Sequence, residues 1–217
     1  MAELITDLDA GRVRERVAEA CERIAQAAKR AGRDPREVEL LAAVKYVPLD
    51  ELGVLAAAGL ALVGENRAQE LVAKASAYPG VFTWDFIGHL QSRKVKDVVP
   101  YVRYIHSVAS ESALAQLAKH PAEVLVEVNV AGEASKSGIA PSDLGAFIAR
   151  APVPVVGLMT MPPAARTPEE SRPHFAALRE LAAAHGLRHL SMGTSQDYEV
   201  AVEEGATIVR LGSSLYG

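Results

Sequence analysis

From Ala10 to Ala31, the residues Val13, Val17, Cys21 and Ile24 recur at helical spacing among Arg and Glu. This predicts an amphipathic helix with those four on its buried stripe. Gly32 supplies a stop, and Asp34-Pro35 begins a turn. Beyond it the pattern changes to short apolar runs of strand type, each followed by a loop and then a helical stretch. The predicted strands are Val38–Val44, Leu60–Val63, Thr83–Ile87, Tyr104–Val108, Glu123–Val130, Val153–Met159, Leu187–Met192 and Ala206–Leu211. Helices are predicted between them, among others at Asp50–Ala58, Asn66–Ala77, Ser110–Lys119 and Pro168–His185.

Strands that alternate with helices pair in parallel, because each crossover returns the chain to the same end of the sheet. Eight such strands with a leading helix predict an α/β fold, a closed (β/α)8 TIM barrel, with residues 1–217 as one domain. The rival is an open doubly wound sheet. Its dinucleotide-binding marker, G-x-G-x-x-G after the first strand, is absent, and so is a P-loop.

In such a barrel the chemistry sits at the C-terminal ends of the strands. The first strand runs into Lys45, which shares a face with Leu41 and Ala43. If that face is the inner one, Lys45 stands over the core at the mouth. Burial disfavours an ammonium, and a neutral amine can form an imine with an aldehyde. A lysine stem lying on apolar surface, with its head in water, is the plainer alternative. After the second strand, Asn66 either caps the next helix or faces the mouth. In the fifth strand Val124, Val126 and Val128 share one face, and Leu125, Glu127 and Asn129 the other. Inward Glu127 reads as an inner salt-bridge member in preference to a site residue, since a buried carboxylate needs a partner.

The seventh strand ends Ser191-Met192-Gly193-Thr194-Ser195, with a helix expected near Gln196; the eighth ends Arg210-Leu211-Gly212-Ser213-Ser214. Glycine permits close backbone approach to a ligand, and hydroxyls and unpaired N–H groups bind anions. Loops after strands seven and eight are a frequent phosphate site in these barrels. A serine N-cap is the alternative for the first loop. Arg210 either pairs with an inward carboxylate such as Glu127 or donates to a ligand. An amine, a phosphate cradle and an inward donor together suit pyridoxal 5′-phosphate.

Composition narrows the setting. The chain has 217 residues, with 23 Lys+Arg against 27 Asp+Glu and a net charge of −4, which speaks against nucleic acid as a partner. Cys21 is the only cysteine, so neither an internal disulfide nor a cysteine-cluster metal site is expected. The histidines lack metal-ligand spacing. The most apolar stretch, Val54–Val63, is about half the length of a membrane span. Glu3, Asp7 and Asp9 stand where a signal peptide carries basic residues. A cytoplasmic monomer with no membrane partner is expected.

The ordered motifs resemble the pyridoxal phosphate homeostasis proteins, also called proline synthetase co-transcribed homologues. The resemblance covers nearly the whole chain and rests first on Leu40-Leu41-Ala42-Ala43-Val44-Lys45 and Gly64-Glu65-Asn66-Arg67-Ala68-Gln69-Glu70. It continues through Phe86-Ile87-Gly88-His89-Leu90-Gln91-Ser92, Ser135-Lys136-Ser137-Gly138 and Gly157-Leu158-Met159. Ser191–Asp197, Val209–Gly212 and the closing Leu215-Tyr216-Gly217 complete the set. The resemblance implies a barrel like the N-terminal domain of alanine racemase, with pyridoxal phosphate bound as an imine on Lys45. It implies phosphate contacts from Ser195 and the backbone near Gly212 and Ser213, Arg210 at the pyridine nitrogen, and Asn66 and Met159 near the ring. Val44, Tyr46, Arg93 and Thr194 depart from the usual family residues, and Thr194 adds a hydroxyl near the expected phosphate.

The family is described as balancing the supply of the cofactor, without established turnover. An arginine at the pyridine nitrogen makes the ring a poor electron sink, and a racemase needs a proton-transfer group on each face. No catalytic residue is therefore assigned, and a carrier or buffer that exchanges the cofactor with amino acids or cofactor-accepting enzymes is expected. The alternative is a weak amino-acid racemase, for which Tyr46 or His106 would supply a proton group.

Overall fold

The computed structural model describes residues 4–133 and 137–216. Glu3, Ser135, Lys136 and Gly217, which entered the sequence reading, lie outside the described residues.

The leading helix α1 spans Ala10–Arg30, and the Asp9 carboxylate caps it by accepting the Arg12 N–H at 2.8 Å. Its buried face is Val13, Ala20, Ile24, Ala27 and Ala28, with Val17 half-buried. Cys21, expected on that stripe, is exposed. At about 100° per residue, Cys21 lies roughly 80° around the helix from Val13, whereas Ala20 and Ile24 lie within about 20° of it.

Eight strands close into an all-parallel barrel in sequence order. They are β1 (Glu39–Ala43), β2 (Leu62–Glu65), β3 (Thr83–Phe86), β4 (Tyr104–Val108), β5 (Glu123–Glu127), β6 (Val155–Met159), β7 (His189–Thr194) and β8 (Ile208–Leu211). The crossovers carry α2 (Leu52–Ala57), α3 (Ala68–Ala77), α4 (Val95–Val98), α5 (Glu111–Leu117), α6 (Leu144–Ala149), α7 (Arg172–Ala184) and α8 (Tyr198–Glu203). After β8 comes one further turn, α9 (Ser213–Tyr216). The doubly wound alternative is excluded, because β1 pairs with both β2 and β8.

Several ends differ from expectation. Strand β7 begins and ends two residues later than predicted, and β5 stops at Glu127, beyond which Val128 makes only an isolated bridge to Ile139. Helix α3 begins at Ala68, and Asn66 does not cap it. The Glu65 carboxylate takes the Asn66 and Arg67 N–H groups instead, at 2.7 and 3.1 Å. Helix α8 starts at Tyr198, two residues beyond Gln196.

The strand faces divide as alternation requires. Ala42, Val44, Val63, Ile105, Val124, Val126 and Val128 join the helices in one continuous apolar shell. Leu41, Leu125, Met159 and Ile208 are buried outside that shell, on the inner face of the barrel. The registers Gly64↔Asp85, Glu127↔Met159, Met159↔Ser191 and Leu41↔Arg210 place polar side chains on this inner face too.

Candidate functional site

Lys45 lies two residues past the end of β1, after the buried Val44, and is half-buried. Its Nζ lies 5.1 Å from the centre of the Tyr46 ring. The strand end that carries it is tied on several sides. The Val44 N–H donates to the Gly64 carbonyl at 2.9 Å. The buried Lys74 ammonium donates to the Val44 carbonyl at 2.8 Å and to Glu65 Oε2 at 2.6 Å. Glu65 is fully buried and Lys74 is 2 % exposed, so this ion pair lies in the core beside the mouth.

The loops after β7 and β8 meet next to it. Ser195 Oγ lies 2.9 Å from Ser214 Oγ, and the Gly212 N–H points at Ser195 Oγ from 3.4 Å. A Cβ on Gly212 would stand 3.7 Å from both Ala43 Cβ and the Ala43 carbonyl oxygen, so this loop lies against the strand that leads into Lys45. The Tyr216 hydroxyl also donates to the Ala43 carbonyl, at 3.3 Å.

Two sequence expectations for the β7 loop change. Gly193 has φ +91°, and a Cβ there would come within 2.6 Å of Ala201 Cβ and 2.9 Å of Tyr198 Cα. The glycine therefore lets α8 pack against the strand end; the close approach is to a helix rather than to a ligand. The Thr194 N–H and hydroxyl both donate to Asp197 Oδ1, at 2.8 and 3.1 Å. Thr194 thus closes its own turn, and its hydroxyl is already engaged.

Arg210 points into the barrel and is buried. Of the two roles open to it, an ion pair with Glu127 does not form: Glu127 accepts from the Ser137 hydroxyl at 2.6 Å. The guanidinium donates to Ser191 Oγ, to the Thr160 carbonyl at 3.0 Å and toward Met161 Sδ at 2.9 Å. These partners are all neutral. Burial pushes the Arg210 pKa down to about 10, and the carboxylates of Asp197 and Glu127, acting through space, hold it from falling further. It remains a cation at neutral pH, with hydrogen-bonding capacity left for an acceptor above it.

Ser191, expected among the ligand contacts, lies at the bottom of the site. It is fully buried and held between Arg210 and His106. Met159 is 4 % exposed and flanked in register by Glu127 and Ser191, so it forms part of the floor. Asn66 keeps a buried Oδ1 without a hydrogen-bond partner. The mouth therefore holds an amine just past β1, paired hydroxyls and an amide at the β7 and β8 loops, a buried cation whose described partners are all neutral, and an unpaired amide oxygen. The amine suits an aldehyde, the hydroxyls and amide suit a phosphate, and the buried cation suits a ring nitrogen, so pyridoxal phosphate fits these residues.

Lys74, Asp85, Arg103 and Thr160 carry little mark of their roles in the sequence. The available signal was a charged or polar residue between large apolar ones, as in Trp84-Asp85-Phe86. Among the described residues no group of three His, Cys, Asp or Glu side chains could hold a metal ion, and no helix is long and apolar enough to cross a membrane.

A closed parallel barrel with these features at its C-terminal mouth defines the class, and the model of the family "Alanine racemase, N-terminal domain" matches residues 16–217. The chain is 42 % identical over 220 residues to the pyridoxal phosphate homeostasis protein of Aquifex aeolicus (strain VF5), covering 94 % of this chain and 96 % of that one. It is 40 % identical to the protein of the same name from Pseudomonas aeruginosa, covering 94 % and 95 % of the two chains. The structure of PipY from Synechococcus elongatus PCC7942 with PLP bound superposes with a TM-score of 0.78 at 30 % identity, over 94 % of this chain and 100 % of that one. The chain belongs to the pyridoxal phosphate homeostasis protein family.

Proposed function

We propose that this protein binds pyridoxal 5′-phosphate at the C-terminal mouth of the barrel, as an imine on Lys45, and serves vitamin B6 homeostasis as a carrier or buffer. The observation that carries this reading is the seating of the Gly212 loop against Ala43, two residues before Lys45. It brings an anion-binding loop and a primary amine to one rim. Lys45 would supply the amine, and the cofactor, when bound, would supply the aldehyde that condenses with it with loss of water. Ser195, Gly212 and Ser213 hold the phosphate, with Ser214 beside them, and Asn66 and Met159 border the ring. Thr194 and Gly193 shape the loop, and Ser191 supports Arg210.

Arg210 would offer the ring nitrogen a donor and no proton acceptor, because a guanidinium only donates, and the cofactor, when bound, would be a poor electron sink. His106 is fully buried beneath the site, which removes it as a proton-transfer group at the mouth. Tyr46, beside the Lys45 amine, is the observation that favours the competing reading of a weak amino-acid racemase.

Two measurements test these readings. Borohydride reduction of protein incubated with pyridoxal phosphate, followed by peptide mapping, should place the label on Lys45; a label elsewhere, or none, refutes the imine. Solvent deuterium exchange at the α-carbon of a panel of amino acids should be absent. Exchange that disappears in Lys45→Ala refutes the carrier reading in favour of the racemase.

A further inference from the structure

A chain of buried polar side chains runs through the middle of the barrel. At one end Arg103, just before β4, donates through Nη1 to Glu39 Oε1 at 2.7 Å, beside a cavity of about 510 Å³ at the N-terminal mouth. Its Nε and Nη2 grip Asp85 at 3.1 and 2.8 Å, and the Tyr104 N–H donates to the same carboxylate at 3.2 Å. Asp85 Oδ2 lies 3.1 Å from His106 Nε2, and His106 Nδ1 lies 2.8 Å from Ser191 Oγ. Ser191 in turn accepts from Arg210 Nη1. Asp85, His106 and Ser191 are nearly or wholly removed from solvent.

The proton positions follow from the partners. Burial alone would raise the Asp85 carboxyl, but hydrogen bonds from His106 and Arg103 outweigh it and hold it below the usual range, so Asp85 is ionised. The charged groups around His106 are Asp85 on β3, Arg103 before β4 and Arg210 on β8. Burial pushes the imidazole down, the hydrogen bond and charge of Asp85 oppose this, and the two arginines add to burial; the net shift is downward, so the ring is neutral at pH 7. A neutral ring facing a carboxylate through Nε2 carries its proton there. Nδ1 is then an acceptor. The Ser191 hydroxyl hydrogen goes to it, which leaves the oxygen lone pairs for Arg210.

We propose that Asp85, His106 and Ser191 are a positioning relay that holds the Arg210 guanidinium in one orientation against the ring nitrogen of the bound cofactor. The inference rests on the pyridoxal phosphate reading above. The carboxylate does not touch the arginine. Its influence reaches Arg210 as polarisation through two neutral links, so the guanidinium stays a cation without a carboxylate on it, and the N–H groups not given to Ser191, the Thr160 carbonyl and Met161 remain for the ring. A direct ion pair would occupy those donors.

Long-range proton–nitrogen NMR on the cofactor-free protein tests the relay itself. At neutral pH His106 should be the Nε2–H tautomer, and a doubly protonated or Nδ1–H ring overturns the proposal. On the loaded protein, Ser191→Ala and His106→Gln should each raise the cofactor Kd about tenfold and shift its visible absorption band, because one charge-assisted hydrogen bond loses its support. Ser191→Thr, which keeps the hydroxyl, should restore the wild-type band. Should His106→Gln fail to fold, Ser191→Ala with the NMR measurement decides. Wild type that takes up no pyridoxal phosphate overturns the cofactor reading itself; wild type that binds, with Ser191→Ala indistinguishable from it, overturns the relay alone.

Discussion

Replacing Lys74 by methionine keeps a long apolar stem and removes one buried charge. In the native protein the Lys74 ammonium, 2 % exposed, neutralises the fully buried Glu65 carboxylate at 2.6 Å and holds the Val44 carbonyl at 2.8 Å. Breaking a buried pair from one side costs about 3–5 kcal/mol, because the remaining charge is left uncompensated. The Asn66 and Arg67 N–H groups still reach Glu65 Oε1, so the lower end, about 3 kcal/mol, is expected. For a domain of this size that corresponds to a fall in Tm of roughly 6–12 °C. Removing both charges in Lys74→Met/Glu65→Gln should cost less than Lys74→Met alone, since no unpaired ion remains. Urea unfolding of the single and double variants, with m-values checked for constancy, measures both quantities. A single-variant loss below about 1 kcal/mol, the range of an exposed pair, would refute the argument, as would a double variant less stable than the single.

The pH dependence of stability follows from groups whose pKa falls on folding. Burial lowers the imidazoles of His106 and His189, so the unfolded chain binds their protons first and stability is lost as pH drops below about 6.5. His106→Gln should flatten that slope in a series of Tm measurements; an unchanged slope contradicts the assignment. Asp85, held low, contributes stability that is present above about pH 3.9 and is lost as pH falls further. Gly193→Ala forces a side chain into φ +91° and onto α8, and should cost about 1–3 kcal/mol in urea unfolding while weakening cofactor uptake. Equal stability would show that the loop relaxes freely. Arg172 bridges Glu169, Glu203 and Glu204 at 2.6–2.9 Å but is a third exposed, so Arg172→Ala should cost about 1 kcal/mol at low salt and less in concentrated NaCl. A salt-independent loss would point to packing of its stem instead.

The barrel was legible because period-two alternation and turn chemistry are local. Val124, Val126 and Val128 against Leu125 and Glu127 already separated the outer shell from the inner face, and β5 shows that division. The position of Lys45 just past the first strand and the glycine–hydroxyl loops after β7 and β8 were readable for the same reason. Pairings across the fold were not. Lys74 looks like any solvated lysine on a helix; only the docking of α3 beside β1 puts it next to Val44 and Glu65. The choice left open for Arg210, between a Glu127 pair and a free donor, needed the fold: Arg210 is met by Ser191 and the Thr160 carbonyl. Cys21 was misplaced by a single step of helical phase, an error that a one-sided stripe of four residues cannot correct.

The interior of this barrel is joined by bonds that have direction, whereas its outer shell is hydrocarbon. The two layers therefore differ in the freedom they leave to drift. One aliphatic residue can replace another in the shell at modest cost once its neighbours adjust. A change at Asp85, His106, Ser191 or Arg210 strands the donor or acceptor next along the line, and no single second substitution makes it good. A saturation scan should accordingly find the narrowest tolerance along the axis of the molecule, at side chains almost wholly removed from solvent.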